Sequence, residues 1–153
     1  MILGDADIRF FLKINEIHVD PAPADKDIQP ASLELHIDGF IDLHPGEFAL
    51  AHTIQVVTLG SRVAGHLSGK SSLGRLGLDV HATAGWIDPG FSGQIVLELY
   101  NKSKSTISLV NGQAIGQLVF HELRSPAQRI YGHPDLGNHY QYQRGTIGSH
   151  LRG

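Results

Sequence analysis

"DPGFSGQIVLELY", residues 88–100, is the stretch whose reading decides the fold. In its second half Gln94, Val96, Glu98 and Tyr100 alternate with Ile95, Leu97 and Leu99. That is the period of two of a strand with one buried face. Its first half is turn chemistry: Asp and Pro favour turn initiation, and glycine supplies conformations that other residues avoid. The same unit recurs on both sides. "LELHI", "EFALA" and "RVAGHL" alternate upstream, "TISLV" and "IGQLVFHEL" downstream, with turns at "HPG" (44–46), "GK" (69–70) and "NG" (111–112) between them. Many short strands at this spacing predict a mostly β protein, a sandwich, jelly roll or barrel. A single short helix is expected at the N-terminus. Asp5 is its predicted N-cap, with Ile8, Phe11, Leu12 and Ile17 at helical spacing, before Pro21, Pro23 and Pro30 break the chain into a loop.

Bulk properties narrow the classes. A length of 153 residues predicts one domain over 1–153 with a core of its own. A formal charge of −3 gives no electrostatic case for nucleic-acid binding. Without cysteine there are no disulfides, thiolate metal sites or thiol nucleophiles. The opening "MILGDADIRFFLKIN" carries Asp5 and Asp7 and no long apolar run, which predicts a soluble, cytoplasmic chain with no membrane partner. The tail "GNHYQYQRGTIGSHLRG" lacks core periodicity. Residues 132–153 are therefore expected as a flexible C-terminal arm, disordered or ordering on a ligand.

Three groups of residues could carry chemistry. "AGHLSGKSS" (64–72) nearly spells a P-loop, but Ala64 stands where the first glycine belongs, and "SLGRLGL" places glycines where a sustained helix is needed. Lys70, Ser71, Ser72 and Arg75 still gather donors beside Gly69, Gly74 and Gly77, as an anion site or as a polar turn. The ten histidines are scattered and match no zinc motif, so zinc is not expected; His133 and His139 fall in a Gly/Pro loop and are expected to be solvated. Mg²⁺ carried on substrate phosphates stays open, because it needs few protein ligands. Asp88 is a turn-former or an acid at work. Glu98 shares its strand face with Gln94, Val96 and Tyr100, as a cleft wall, a subunit interface or a plain surface strand would.

The near-continuous run "GKSSLGRLGLDVHATAGWIDPGFSGQIVLELYN" (69–101) resembles the central signature of the dCTP deaminase family, in the dUTPase-like superfamily. "MILGDADI", "QPASLEL", "LHPGEFALAHT", "NGQAIGQLVF" and "YQYQRG" extend the resemblance over almost the whole chain. It implies a distorted β-barrel or jelly roll of the dUTPase-like type. It also implies a homotrimer with interfacial active sites, and a Mg²⁺-bound nucleotide triphosphate, dCTP or dUTP, as ligand. Carried over residue by residue, Lys70, Ser71 and Ser72 hold phosphates and Arg75 lies beside the reacting centre. Thr83 and Ala84 line the base pocket, Asp88 contacts the deoxyribose, and Glu98 is the catalytic acid/base, with Ser71 helping to fix the water. Gln117 from the late strand and His139 from the tail belong to the nucleotide site, and Tyr131 and Gln143 close over it. "GWIDPGFSG" (85–93) also fits the dUTPase turn in which an Asp activates water at the α-phosphate, and "TAGW" is similar to the dUMP-forming, bifunctional members. Deamination without zinc needs one carboxylate to take a proton from water attacking cytosine C4 and return it, a task for a partly desolvated Glu. A dUTP diphosphatase, or a non-catalytic nucleotide-binding relative, remains the alternative. Three departures from the family pattern stand out: a much shorter passage from "LELHIDGF" to "IDLHPGEF", Glu34 in place of Asp, and His139 in place of a phosphate-directed lysine.

Overall fold

The computed structural model describes residues 1–151. In chain order the elements are α1 (Asp5–Lys13), β1 (Ile17–Asp20), β2 (Ile28–Gln29), β3 (Ser32–His36), β4 (Ile41–Leu43), β5 (Phe48–Leu59), β6 (Val63–Gly69), α2 (Ser71–Gly74), β7 (Leu78–Asp79), β8 (Trp86–Ile87), β9 (Ser92–Asn101), β10 (Ile107–Leu109) and β11 (Ala114–Glu122). One sheet has the order β1-β5-β9-β7, a second β2-β3-β11-β6-β8, and β4 pairs with β10 apart from both. Every described pairing is antiparallel.

Both larger sheets turn their apolar faces into one shared core. Leu59, Leu97 and Leu99 come from the first, Leu33, Leu67, Leu118 and Phe120 from the second. Burying each of these side chains stabilises by about 1.5–3 kcal/mol, which fixes which way every strand faces. On β9 this works as the alternation predicts: Ile95, Leu97 and Leu99 are buried, while Gln94, Val96 and Glu98 are half-buried on the opposite face.

The helix differs in detail from the sequence expectation. Its N-cap is Gly4 rather than Asp5, because the Asp7 carboxylate one turn in accepts the Gly4 N–H at 3.2 Å. Asp5 instead sits in the first turn, where its charge suits the helix dipole. Ile17 is not helical. The chain turns at Asn15, with φ of 62°, and Ile17 opens β1 opposite Leu59. A second helix, α2, has four residues, too short for the sustained helix of a P-loop. No described helix is long and apolar enough to cross a membrane.

Two local features position the site. First, β3 passes to β4 through the four residues Ile37, Asp38, Gly39 and Phe40. This tight turn is tied down by Asp38 N–H to His52 O and Gly39 N–H to Asn111 Oδ1, at 3.0 and 2.8 Å. Second, the pairing of β5 with β9 shifts register between His52 and Val56. Thr53 and Gln55 are thereby turned into the core, yet remain satisfied. Thr53 Oγ1 donates to Gln55 O and accepts from Ile95 N–H, while Gln55 Oε1 accepts from His36 N–H.

Candidate active site

A cavity of about 860 Å³ opens beside the outer face of β9. Five of the residues singled out from the sequence line it: Ala84, Asp88, Glu98, Tyr131 and Gln143. The walls between them are apolar, from Phe48, Leu50, Trp86, Ile87, Phe91 and Val96. Two carboxylates in a mostly apolar cleft of this size have the composition of a small-molecule site.

Glu98 is held from both sides. Its N–H donates to Val80 O at 3.1 Å, and its Oε2 accepts from Ala82 N–H at 2.7 Å. The strand carrying the acid therefore also fixes the segment leading to Thr83 and Ala84. The charge-assisted bond to Ala82 occupies one carboxylate oxygen and orients the other. Asp88 is exposed on the turn, and its C=O accepts from Phe91 N–H at 3.1 Å. Gly90, in the same turn, has φ of 88°, and a Cβ there would lie 2.5 Å from Ile130 Cβ. Glycine is needed at that point for conformation and for space, and the close approach seats Tyr131, whose N–H donates to Pro89 O at 2.8 Å.

The arm supplies the remaining wall. Tyr142 N–H donates to Ser92 O, and Gln94 N–H donates to Gln143 O, along the edge of β9 that β7 does not reach. Gln143 Nε2 returns a bond to Gln94 O at 2.8 Å. Gly93 makes room for this, since a Cβ there would sit 3.0 Å from Gln143 Cγ. Phe48, Trp86, Tyr140 and Ile147 also line the cavity but were not identified from the sequence. Trp86, the sole tryptophan, directly before Ile87 and Asp88, was the one readable signal among them.

The remaining candidates lie outside it. Lys70, Ser71, Ser72, Arg75, Thr83, Gln117 and His139 do not line this cavity. Lys70 is the N-cap residue of α2, and its Nζ is ion-paired with Glu34. Gln117 accepts from Ser32 Oγ at 3.0 Å and reaches Gly69 O at 3.4 Å, beside that pair. Ser71, Ser72 and Arg75 lie exposed on α2 and just after it. His139 is exposed in the tail, stacked on His150 with centroids 3.6 Å apart.

Beneath Lys70, potential ligand atoms of Asp27, Glu34 and His36 lie within 4.8 Å of one another. His36 N–H binds Gln55 Oε1, so the amide nitrogen of Gln55 faces His36 Nδ1 at 2.7 Å. Nδ1 is then an acceptor, and the imidazole proton sits on Nε2, towards Asp27 Oδ1 at 3.5 Å. Of the three, Glu34 is the one paired with Lys70, while the buried Asp27 Oδ1 has no hydrogen-bond partner.

The fold is shared with solved dCTP deaminase and dUTPase structures. The dCTP deaminase of Agrobacterium tumefaciens superimposes with a TM-score of 0.68 at 19% identity, over 79% of this chain and 48% of that one. The native EIAV dUTPase gives a TM-score of 0.60 at 24% identity, over 77% and 96%. A mutant dUTPase from phage phi11 of S. aureus, described with a structural Mg(II) ion, gives 0.61 at 18% identity, over 72% and 92%. More narrowly, residues 36–123 match the dCTP deaminase-like family model, and the chain belongs to that family. It is 42% identical to the dUMP-forming dCTP deaminase of Corynebacterium glutamicum (strain R) over 97% of this chain and 95% of that protein. The corresponding enzyme of Salinispora tropica is 51% identical over 86% of this chain and 68% of that protein. The first alignment runs over 182 positions, more than the 153 residues here, so the Corynebacterium protein carries residues that this chain lacks.

Proposed function

We infer that this chain is a dUMP-forming dCTP deaminase, converting dCTP and two waters to dUMP, diphosphate and ammonia. The observation that carries this is the 42% identity, across nearly the whole chain, to enzymes of that activity. The cavity is consistent with it, because Glu98 and Asp88 face one space bounded by Ala84.

Each acid then serves a different atom of one nucleotide. Glu98, half-buried and oriented by Ala82 N–H, takes the proton from water attacking cytosine C4. It delivers that proton to ring N3, then takes the second proton from the new C4 hydroxyl and gives it to the departing ammonia, leaving the C4 carbonyl. Arg75 stabilises charge beside the reacting centre, and Ser71 with the Ala84 carbonyl holds the water. Asp88 positions the deoxyribose and activates the second water for attack at the α-phosphate. Lys70, Ser71, Ser72 and Gln117 take the triphosphate, and Tyr131 and Gln143 close over it, with His139 in the phosphate-facing part of the arm. Glu34, the carboxylate already beside Lys70, fits a Mg²⁺ brought in on the phosphates. When bound, the ion neutralises phosphate charge and orients the α-phosphate for attack.

The separation of the Lys70–Arg75 cluster from the cavity supports a site completed between subunits of a homotrimer. So does the outer face of β5 and β9, where Phe48 and Tyr100 are 55% and 37% exposed next to half-buried Leu50 and Val96. The cytoplasm, where deoxynucleotide triphosphates are found, is the proposed location. Incubation with dCTP and dUTP separately, with Mg²⁺, and chromatography of the products tests the whole reading. Ammonia, diphosphate and dUMP from dCTP are expected. Turnover of dUTP alone identifies a dUTP diphosphatase, and binding without turnover a non-catalytic relative; either result overturns the inference.

A further inference from the structure

His52 stands on β5 at the point where its pairing with β9 shifts register, and it joins two parts of the chain far apart in sequence. Its Nε2 lies 3.1 Å from Asp38 Oδ2, in the short turn between β3 and β4. Its Nδ1 lies 2.8 Å from Thr146 Oγ1, in the arm. The backbone repeats the first link, with Asp38 N–H donating to His52 O at 3.0 Å. A carboxylate accepts only, so Asp38 fixes the neutral imidazole with its proton on Nε2 and leaves Nδ1 to accept from the threonine hydroxyl. On protonation Nδ1 donates instead, and the same hydroxyl accepts. The contact therefore survives a change in the charge of His52.

Thr146 is where the arm is pinned. Immediately before it, Gly145 N–H donates to Gln94 Oε1 at 2.6 Å, and Gln143 bonds the backbone of Gln94 in both directions. Immediately after it, Ile147, Gly148 and Ser149 line the cavity that holds Glu98 and Asp88. Holding Thr146 thus sets both the seating of Gln143 and the path of the wall that follows. We propose that Asp38, His52 and Thr146 form a latch that keeps the C-terminal arm closed over the cavity, with Asp38 and His52 as positioning residues. The four-residue turn at 37–40 is what brings a carboxylate to His52. The shortened connection thereby takes a new part in covering the site.

That the arm closes on a nucleotide rests on the function inferred above; that the latch holds the arm does not. The test therefore reads both. His52→Phe keeps a ring and removes both hydrogen bonds, Thr146→Val removes one at an exposed position that does not threaten folding, and His52→Asn restores a polar atom near Nδ1. Amide hydrogen exchange in the nucleotide-free protein is expected to speed up at Tyr142 and Gly145 by about tenfold in the first two variants, and by less in His52→Asn. For dCTP, KM is expected to rise about five- to twentyfold in the first two while kcat stays within about twofold, again with partial recovery in His52→Asn. Unchanged exchange in both Thr146→Val and His52→Phe overturns the latch, as does a fall in kcat with KM unmoved. If the unaltered protein does not turn over dCTP, the function fails while the exchange result still decides the latch.

Discussion

Replacing Glu98 by Gln separates chemistry from shape at a single atom. In the structure Glu98 Oε2 accepts from Ala82 N–H at 2.7 Å, and the backbone of Glu98 is fixed to Val80 O. A glutamine keeps the same length and still offers a carbonyl oxygen to Ala82, so the lost increment is only that between a charged and a neutral acceptor, about 1 kcal/mol at a half-buried site. That is worth a few degrees in melting temperature for a chain of this size. It is too little to move the 80–84 segment, so the affinity for dCTP should change by less than about fivefold. The amide, however, cannot take a proton from water and return it. Losing a positioned general acid/base costs about 10²–10⁴ in rate, equivalent to about 3–5 kcal/mol in the barrier. The assay is ammonia release from dCTP under saturation, paired with calorimetric titration of dCTP and a thermal melt. Deamination is expected to fall below a hundredth of the original rate with binding and melting nearly unchanged. Equal losses of binding and rate, or a melting temperature more than about ten degrees lower, would refute the reasoning and make Glu98 a structural strut for the segment at 82–84.

Asp88→Asn should leave ammonia release largely intact while diphosphate release from dCTP falls by about a hundredfold or more, read from the ratio of dUTP to dUMP; undiminished dUMP rules out Asp88 as the second base. Truncation from Tyr140 removes the Tyr142, Gln143 and Gly145 bonds to β9 and should raise KM for dCTP at least about tenfold, whereas an unchanged KM means that the arm plays no part in closure. Gly90→Ala combines φ of 88° with a Cβ 2.5 Å from Ile130, and should cost about 1–3 kcal/mol, seen as a lower melting temperature together with a raised KM through Tyr131.

Much of the fold was legible because its strands are half-buried and short-range in their signal. The alternation of Ile95, Leu97 and Leu99 with Gln94, Val96 and Glu98 states on its own which face is core. Ile17 was misread because it continues the helical spacing of Ile8 and Phe11, and only pairing with Leu59, distant in sequence, makes it a strand residue. β4 (Ile41–Leu43) was not read as a strand, because only its pairing with β10, distant in sequence, makes it one. Thr53 and Gln55 defeat the apolar-inside rule through a register shift whose hydrogen bonds come from β3 and β9. In the site, the resemblance assigned Asp88 and Glu98 to one nucleotide, whereas the walls from Phe48, Tyr140 and Ile147 were not visible, since they depend on how β5 and the arm approach β9. Contacts such as Asp38 to His52 to Thr146 cross 14 and 94 positions of sequence, and nothing local in any of the three announces them.

One strand explains why these parts hold together. β9 carries Leu97 and Leu99, both fully buried, on its inner face and Glu98 on its outer face. The edge of its first half is bonded to the arm, at Ser92 and Gln94, and its far end pairs with β7 at Tyr100 and Asn101. A one-residue slip of its register would bury Glu98 and expose both leucines. Two lost leucine burials cost about 3–6 kcal/mol before the stranded carboxylate is counted, against a total stability of only about 5–15 kcal/mol for a typical domain. The core therefore enforces the placement of the acid. Because the segment at 82–84 hangs on Glu98 and the arm on Gln94, the same register sets the distance between these two walls of the cavity. A substitution that loosens the buried face of β9, such as Leu97→Ala, is accordingly expected to raise KM as well as lower stability by about 2–5 kcal/mol. A variant that loses that stability yet keeps KM for dCTP would show that the two walls are not coupled through this strand.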